Sequence, residues 1–163
     1  MNKPNSVFGD NNGAIYVSDF LNSRILRFDN AALKANGANA DGVLGQSDFA
    51  SNGWTLSSSG LNIPRSVMLD DKGRLCVSDK NNHRILIFND ANNKANGAAA
   101  DYMLGQPDFT SNTINNGGIS ERSVNNTYIL FYRFSHKDFG KAPDQNYPQA
   151  YNITLRTNFY LGT

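Results

Sequence analysis

The stretch 64–88 reads PRSVMLDDKGRLCVSDKNNHRILIF and decides the fold class. In it, short runs of apolar and β-branched residues alternate with polar clusters rich in Asp, Asn and Gly. Runs of this length between turn formers indicate β-strands joined by tight turns, because each run is too short and too often interrupted for a helix. We expect strands over 66–69, 74–79 and 84–88, and a short fourth strand over 102–104.

The same pattern occurs sixty residues earlier, where residues 4–28 read PNSVFGDNNGAIYVSDFLNSRILRF. Aligned without gaps, residues 4–52 and 64–112 are identical at 28 of 49 positions. A repeat with four short strands per unit is typical of propeller blades, since each unit must stack on a neighbour to bury its apolar faces. The predicted fold class is therefore all-β: two four-stranded antiparallel propeller blades that form an incomplete propeller, followed by a non-repeat C-terminal tail.

The repeat divides the chain into three predicted parts. Blade 1 with its connecting loop takes residues 1–62, and blade 2 with its loop takes residues 63–126. The tail, 127–163, does not continue the repeat, and it either forms a hairpin against the open edge of blade 2 or is disordered. Closed propellers have about 4–8 blades. Two blades therefore leave open faces for the tail, for a longer parent of which this is a truncated or frame-shifted piece, or for copies of the chain that complete a ring.

A recognisable order of motifs occurs in both units: Pro-x-Ser-Val, Asp-x-x-Gly, Val-Ser-Asp, then Asn-x-Arg-Ile-Leu-x-Phe. This order resembles the NHL repeat, and the later Leu-Gly-Gln-x-Asp-Phe resembles its long-spaced bacterial form. The resemblance covers about residues 4–125. It implies a β-propeller that serves as a scaffold for binding proteins or ligands. Some related propellers are enzymes with a metal in the central channel, and some bind RNA or protein on one face.

The charge balance bears on the partners. Lys and Arg number 15 and Asp and Glu number 14, which gives a net charge of +1. This balance provides no basic field for nucleic acid, and no apolar run reaches the about 20 residues of a membrane span. We therefore expect a non-enzymatic scaffold with a protein or small-molecule partner. The alternative is a fragment of a longer propeller enzyme, a metal-dependent hydrolase or lyase, without activity of its own.

Two sets of repeated polar residues are candidates for function. Asp19 with Arg24, and Asp79 with Arg84, lie five residues apart across a turn, and we interpret them as structural turn pairs. The first strand of a propeller blade lines the channel, so candidates for ligand contact at the channel mouth lie at its start. These candidates are Asn5, Ser6, Arg65 and Ser66.

No residue is assigned to catalysis, and no metal or cofactor is expected. The only histidines, His83 and His136, lack zinc-ligand spacing, and we expect His83 on the surface of a turn. Cys76 lies within a strand and is interpreted as a buried, inert thiol. Asp10 and Asp70 lie in glycine-containing turns without the spacing of an EF-hand.

The connections after each fourth strand carry Gly-Gln-x-Asp-Phe. We expect Phe49 and Phe109 to pack between blades. The polar residues of this motif are interpreted as turn-fixing residues; they are Gln46, Asp48, Gln106 and Asp108.

Overall fold

The structure, a computed structural model, describes residues 1–70, 72–125 and 127. The predicted hairpin or disorder of the tail, together with His136, lies outside the described residues. The described chain forms eight strands in two antiparallel sheets, each with its four strands in sequence order. The strands are β1 (Pro4–Gly9), β2 (Ile15–Asp19), β3 (Arg24–Phe28), β4 (Gly42–Leu44), β5 (Pro64–Leu69), β6 (Leu75–Asp79), β7 (Arg84–Phe88) and β8 (Tyr102–Leu104).

The all-β prediction with two four-stranded blades is confirmed. Helical structure in the described part of the chain is confined to short 3₁₀ segments, none of them long and apolar enough to cross a membrane. The segments are Phe20–Asn22, Ala31–Leu33, Lys80–Asn82, Ala91–Asn93 and Ile114–Gly117. The predicted hairpin turn after β5 also forms: Gly73 has a φ of 71°, and its N–H donates to the Asp70 carbonyl at 3.1 Å.

The strand register divides the side chains of each blade between two faces, because cross-strand partners lie on the same side of a sheet. In blade 1 we call the side that carries Tyr16, Ile25 and Leu44 the front face. The back face carries Val17 and Leu26. The register of blade 2 is the same shifted by sixty residues, so its faces carry the equivalent positions.

The core lies between the front face of blade 1 and the back face of blade 2. One buried cluster joins Tyr16, Ile25 and Leu44 of the first blade to the second. Tyr16 also donates from its hydroxyl to Asn92 Oδ1 at 2.5 Å. The cluster also includes Leu61 of the connection and, in blade 2, Val67, Leu69, Leu75, Val77, Leu86, Phe88, Ala91 and Ala100.

The connection between the blades depends on a glycine. Gly45 pairs with Gly60 in an isolated bridge and has a φ of +88°. A Cβ at Gly45 would lie 2.5 Å from Leu61 Cδ1 and 2.8 Å from the Ser23 carbonyl oxygen. Glycine is therefore required there both for its backbone conformation and for the close approach of Leu61.

Two sequence expectations about burial are corrected. Phe109 is partly buried against the core, but Phe49 is 44% exposed, because no blade in the described structure covers the back of blade 1. Cys76 is half-buried rather than buried, because it lies on the front face of blade 2, where no further blade packs among the described residues. Burial, followed by the charge of Asp70, raises the pKa of its thiol, as expected of an unreactive cysteine.

Blade stacking can be measured with two equivalent valines. Val67 is 2% exposed and Val7 is 62% exposed, although both occupy the same position in the first strand. Val67→Ala should lower the free energy of unfolding by about 1–2 kcal/mol through lost burial, and Val7→Ala by less than about 0.5 kcal/mol. Strand propensity changes equally in both variants, so the difference isolates burial. Equal losses in urea unfolding would contradict the stacking.

Candidate functional site

Each blade contains an Asp-Asn-Arg network at the turn between its second and third strands. In blade 2, Asp79 Oδ2 accepts hydrogen bonds from Arg84 Nε at 2.7 Å and from Asn82 Nδ2 at 2.8 Å. Asp79 Oδ1 accepts from the Asn62 N–H at 2.7 Å. The carboxylate thus ties the turn to the segment that leads into the blade. His83, at a φ of 50°, ends the turn.

Blade 1 repeats this network. Asp19 Oδ2 accepts from Arg24 Nε at 2.8 Å and from Asn22 Nδ2 at 2.9 Å, and Oδ1 accepts from the Asn2 N–H at 2.6 Å. Neither aspartate side chain is exposed to solvent. A ligand would have no access to these carboxylates, so their geometry fits a structural role.

Arg84 also connects the two blades. Its guanidinium donates from Nη1 to the Phe109 carbonyl at 2.8 Å, and from Nη2 to the carbonyls of Ser57 at 2.9 Å and Gly60 at 3.0 Å. The Arg84 side chain is fully buried, whereas that of Arg24 is 12% exposed. Arg24 makes the equivalent bond to the Phe49 carbonyl at 2.5 Å. Ser57 and Gly60 belong to the connection that precedes blade 2.

The two aspartates differ in their titration. Burial raises the pKa of Asp79, against the opposing effect of the Arg84 charge and of its hydrogen-bond donors. For Asp19, burial is again the largest influence, but the hydrogen bonds from Asn22, the Asn2 N–H and Arg24 outweigh it. The pKa of Asp19 is therefore below its usual value.

The four channel-mouth candidates fall into two pairs. The register of the first strand shifts between Pro4 and Ser6 and again between Pro64 and Ser66, so Asn5 and Arg65 are the bulged residues. A bulge changes the direction of a side chain locally. Asn5 is exposed, and the guanidinium carbon of Arg65 lies 5.6 Å from the centre of the Phe20 ring.

The two serines at the channel mouth lie on the front faces of their blades, so Ser6 faces blade 2 while Ser66 faces away from blade 1. Ser6 Oγ accepts a hydrogen bond from the Val67 N–H at 3.3 Å, and Ser66 is 6% exposed. Ser66 is therefore closed to a ligand, whereas Asn5 is exposed and Ser6 and Arg65 are half-buried.

The connection residues have the turn-fixing role that the sequence predicted. Gln46 Nε2 donates to the carbonyls of Ser23 at 3.0 Å and Gly53 at 2.5 Å. Gln106 Nε2 makes the equivalent bond to the carbonyl of His83 at 3.0 Å. The carboxylates after them accept backbone N–H groups, at 2.8 Å from Ala50 to Asp48 and at 2.9 Å from Thr110 to Asp108.

The other polar candidates also hold turns. Asp10 Oδ1 accepts the Asn12 N–H at 2.9 Å and the Ala14 N–H at 2.8 Å, and Asp70 makes the equivalent bonds in blade 2. Within residues 1–70, 72–125 and 127, no three His, Cys, Asp or Glu side chains are grouped to hold a metal ion. His83 is half-buried rather than on the surface, because Asn125 hydrogen-bonds to its side chain. Burial, followed by the charge of Lys80, lowers the pKa of the His83 imidazole.

One open cleft of about 550 Å³ lies on the back of blade 1. It combines the Arg24 side chain with the apolar groups of Leu26, Phe28 and Phe49. The equivalent residues of blade 2 pack against blade 1, so the cleft is an uncovered blade face. None of the residues that line this cleft was among the predicted ligand contacts.

Removing one guanidinium tests the network. Arg84→Ala leaves the buried Asp79 carboxylate without its opposite charge and removes the guanidinium donor from three carbonyls. It should lower the free energy of unfolding by about 3–5 kcal/mol. Arg24→Ala is the matched control and should cost less, because Arg24 bonds to fewer groups and is partly hydrated. Urea unfolding at pH 7 measures both values. A loss for Arg24→Ala as large as that for Arg84→Ala would refute the inter-blade role of Arg84.

Acid should weaken the turns whose carboxylates bind N–H groups. Burial would raise the pKa of Asp70, but its bonds from Arg74 and from the backbone hold that pKa below the usual value of 3.8. The ionised Asp70 therefore stabilises the fold fully at any pH above the pKa that Asp70 has in the unfolded chain. This stabilisation is lost as the pH falls through the lower pKa of Asp70 in the folded chain. Asp70→Asn should be less stable than the wild type at pH 7, by an amount that shrinks as the pH falls from about 5 to about 2. A pH-independent difference in urea unfolding would count against this linkage.

Comparison with known protein families identifies the repeat in blade 2. Residues 61–88, which span β5 to β7, match the family model of the NHL repeat. No curated protein matches the chain. The first blade has the same strands, register and turn network as the matched segment. The chain therefore contains one segment that matches the NHL repeat and a second, stacked blade of the same construction.

Proposed function

We propose that this chain is a non-enzymatic NHL-repeat scaffold that binds a protein or small ligand at the start of its first strands. The observation that carries the proposal is the bulge at Asn5 and at Arg65, which occurs at the same place in both blades. NHL repeats generally mediate interactions. A bulge that recurs at one edge directs successive side chains toward a common partner.

The polar side chains of the turns and those of the bulges have different roles, and this difference supports the proposal. The repeated aspartates, arginines and glutamines of the turns donate to or accept from the backbone, and they are identical in the two blades. The bulged positions differ, with Asn5 in one blade and Arg65 in the other. A rigid repeated framework with variable residues at one edge is the arrangement expected of a binding surface.

The chemistry of the edge favours a partner with carboxylates. Arg65 stacks over Phe20 of blade 1, which orients a guanidinium at the junction of the two blades. Arginine pairs with carboxylates through two parallel hydrogen bonds. Asn5 offers an amide donor and acceptor on the neighbouring blade. An acidic peptide segment is therefore the partner class that fits best.

Selection of a random peptide library displayed on phage tests the proposal. Peptides retained by the wild-type chain should be enriched in Asp and Glu, and Arg65→Glu should weaken their binding about tenfold or more, as loss of one charge-assisted contact predicts. Arg122→Glu is the matched control, since Arg122 is exposed and the charge change is the same. It should leave binding within about twofold.

Two results would overturn the proposal. One is a set of retained peptides whose binding is unaffected by Arg65→Glu. The other is hydrolysis of nitrophenyl esters or phosphates by the purified chain that depends on added Ca²⁺ or Zn²⁺, which would favour a propeller enzyme.

A further inference from the structure

The front face of blade 2 is equivalent to the front face of blade 1, but in the described structure no blade packs on it. Leu44 on the front of blade 1 is 6% exposed, while its equivalent Leu104 is 53% exposed. Tyr16 is fully buried, while its equivalent Cys76 is half-buried. The face that packs against a blade in the first repeat is therefore apolar and open in the second.

The chain after β8 returns to this face at positions equivalent to those that follow β4. The offset is 63 residues instead of 60, because the connection contains three additional residues. A Cβ at Gly105 would meet Val124 Cγ2, just as a Cβ at Gly45 would meet Leu61. Val124 thus occupies the position beside blade 2 that Leu61 occupies beside blade 1. Ser123 before it is buried, as Gly60 is before Leu61.

A hydrogen bond shows that Thr127 lies beside blade 2 as Pro64 lies beside blade 1. Ser18 Oγ on the front of blade 1 donates to the Pro64 carbonyl at 2.5 Å, where β5 begins. Ser78 Oγ on blade 2 donates to the Thr127 carbonyl at 2.5 Å. Thr127 therefore lies where the first residue of a third inner strand would lie.

We propose that the front face of blade 2 is the docking surface for the segment of this chain that follows, residues 128–134. The segment reads YILFYRF, and in the repeat register Leu130 and Tyr132 correspond to Val67 and Leu69. Val67 and Leu69 pack against blade 1. The segment thus has apolar residues at the positions that face the preceding blade, and its attachment at Thr127 makes docking intramolecular.

A second copy of the chain fits this face less well. In the repeat register its Asn2 would correspond to Asn62, because the two N–H groups make the same bond to Asp19 and Asp79. Residues 1–4 of a second copy would therefore need the space that Val124, Asn125 and Thr127 already fill. One of the two segments would have to leave before such a dimer could form.

The single cysteine of the chain reports whether the face is covered. In the folded wild type, N-ethylmaleimide should alkylate Cys76 at least about tenfold more slowly than in the chain unfolded in urea. Leu130→Asp should remove most of this protection, because it places a charge in the docked segment. The matched control, Leu161→Asp, changes the same residue type outside the segment and should react like the wild type.

A cross-linking measurement keeps the proposal testable if Leu130→Asp fails to fold. Leu130→Cys should form an intramolecular link to Cys76 with a short bismaleimide, and Leu161→Cys should not. Rapid alkylation of the wild type, or protection that Leu130→Asp leaves intact, would overturn the proposal. Links that form only between chains, with protection that rises with protein concentration, would overturn it in favour of a second copy. Neither experiment involves Arg65, so its outcome is independent of the peptide-binding proposal.

Discussion

A four-stranded blade with apolar side chains on both faces needs a neighbour on each side, and this constraint governs the rest of the structure. The back face of blade 2 has such a neighbour, because it packs against blade 1 and leaves Val77, Leu86 and Phe88 with no exposed surface. The remaining outer faces have no such neighbour in the described structure. The cleft with Phe49 and the exposed Leu104 are the direct consequences.

The polar networks serve the same stacking. Asp79 joins its own turn to the incoming chain through the Asn62 N–H, and Arg84 joins that turn to the connection that crosses from blade 1. Each buried charge is compensated by several hydrogen bonds, so the network is stable only when complete. This requirement explains why the same network residues recur in both blades.

The two proposals use different parts of this architecture. Binding at Asn5 and Arg65 depends on the bulges at the start of the first strands, which blade stacking places side by side. Docking of residues 128–134 depends on the open front of blade 2. A covered front face would make the end of the repeat array compatible with solvent, while the bulged edge remained accessible, so the two surfaces can act together.

The sequence by itself determined the strands, the turns and the repeat. Alternating apolar runs and glycine turns are local signals, and the sixty-residue offset required no structure. The sequence also indicated the Asp-Arg pairs, because five residues span one tight turn. Only the tertiary structure decided burial: Phe49 and Phe109 share the motif Gly-Gln-x-Asp-Phe, yet Phe49 is 44% exposed and Phe109 packs against the core. Burial depends on which faces have neighbours, and the local pattern of a repeat is the same whether or not another blade lies beside it.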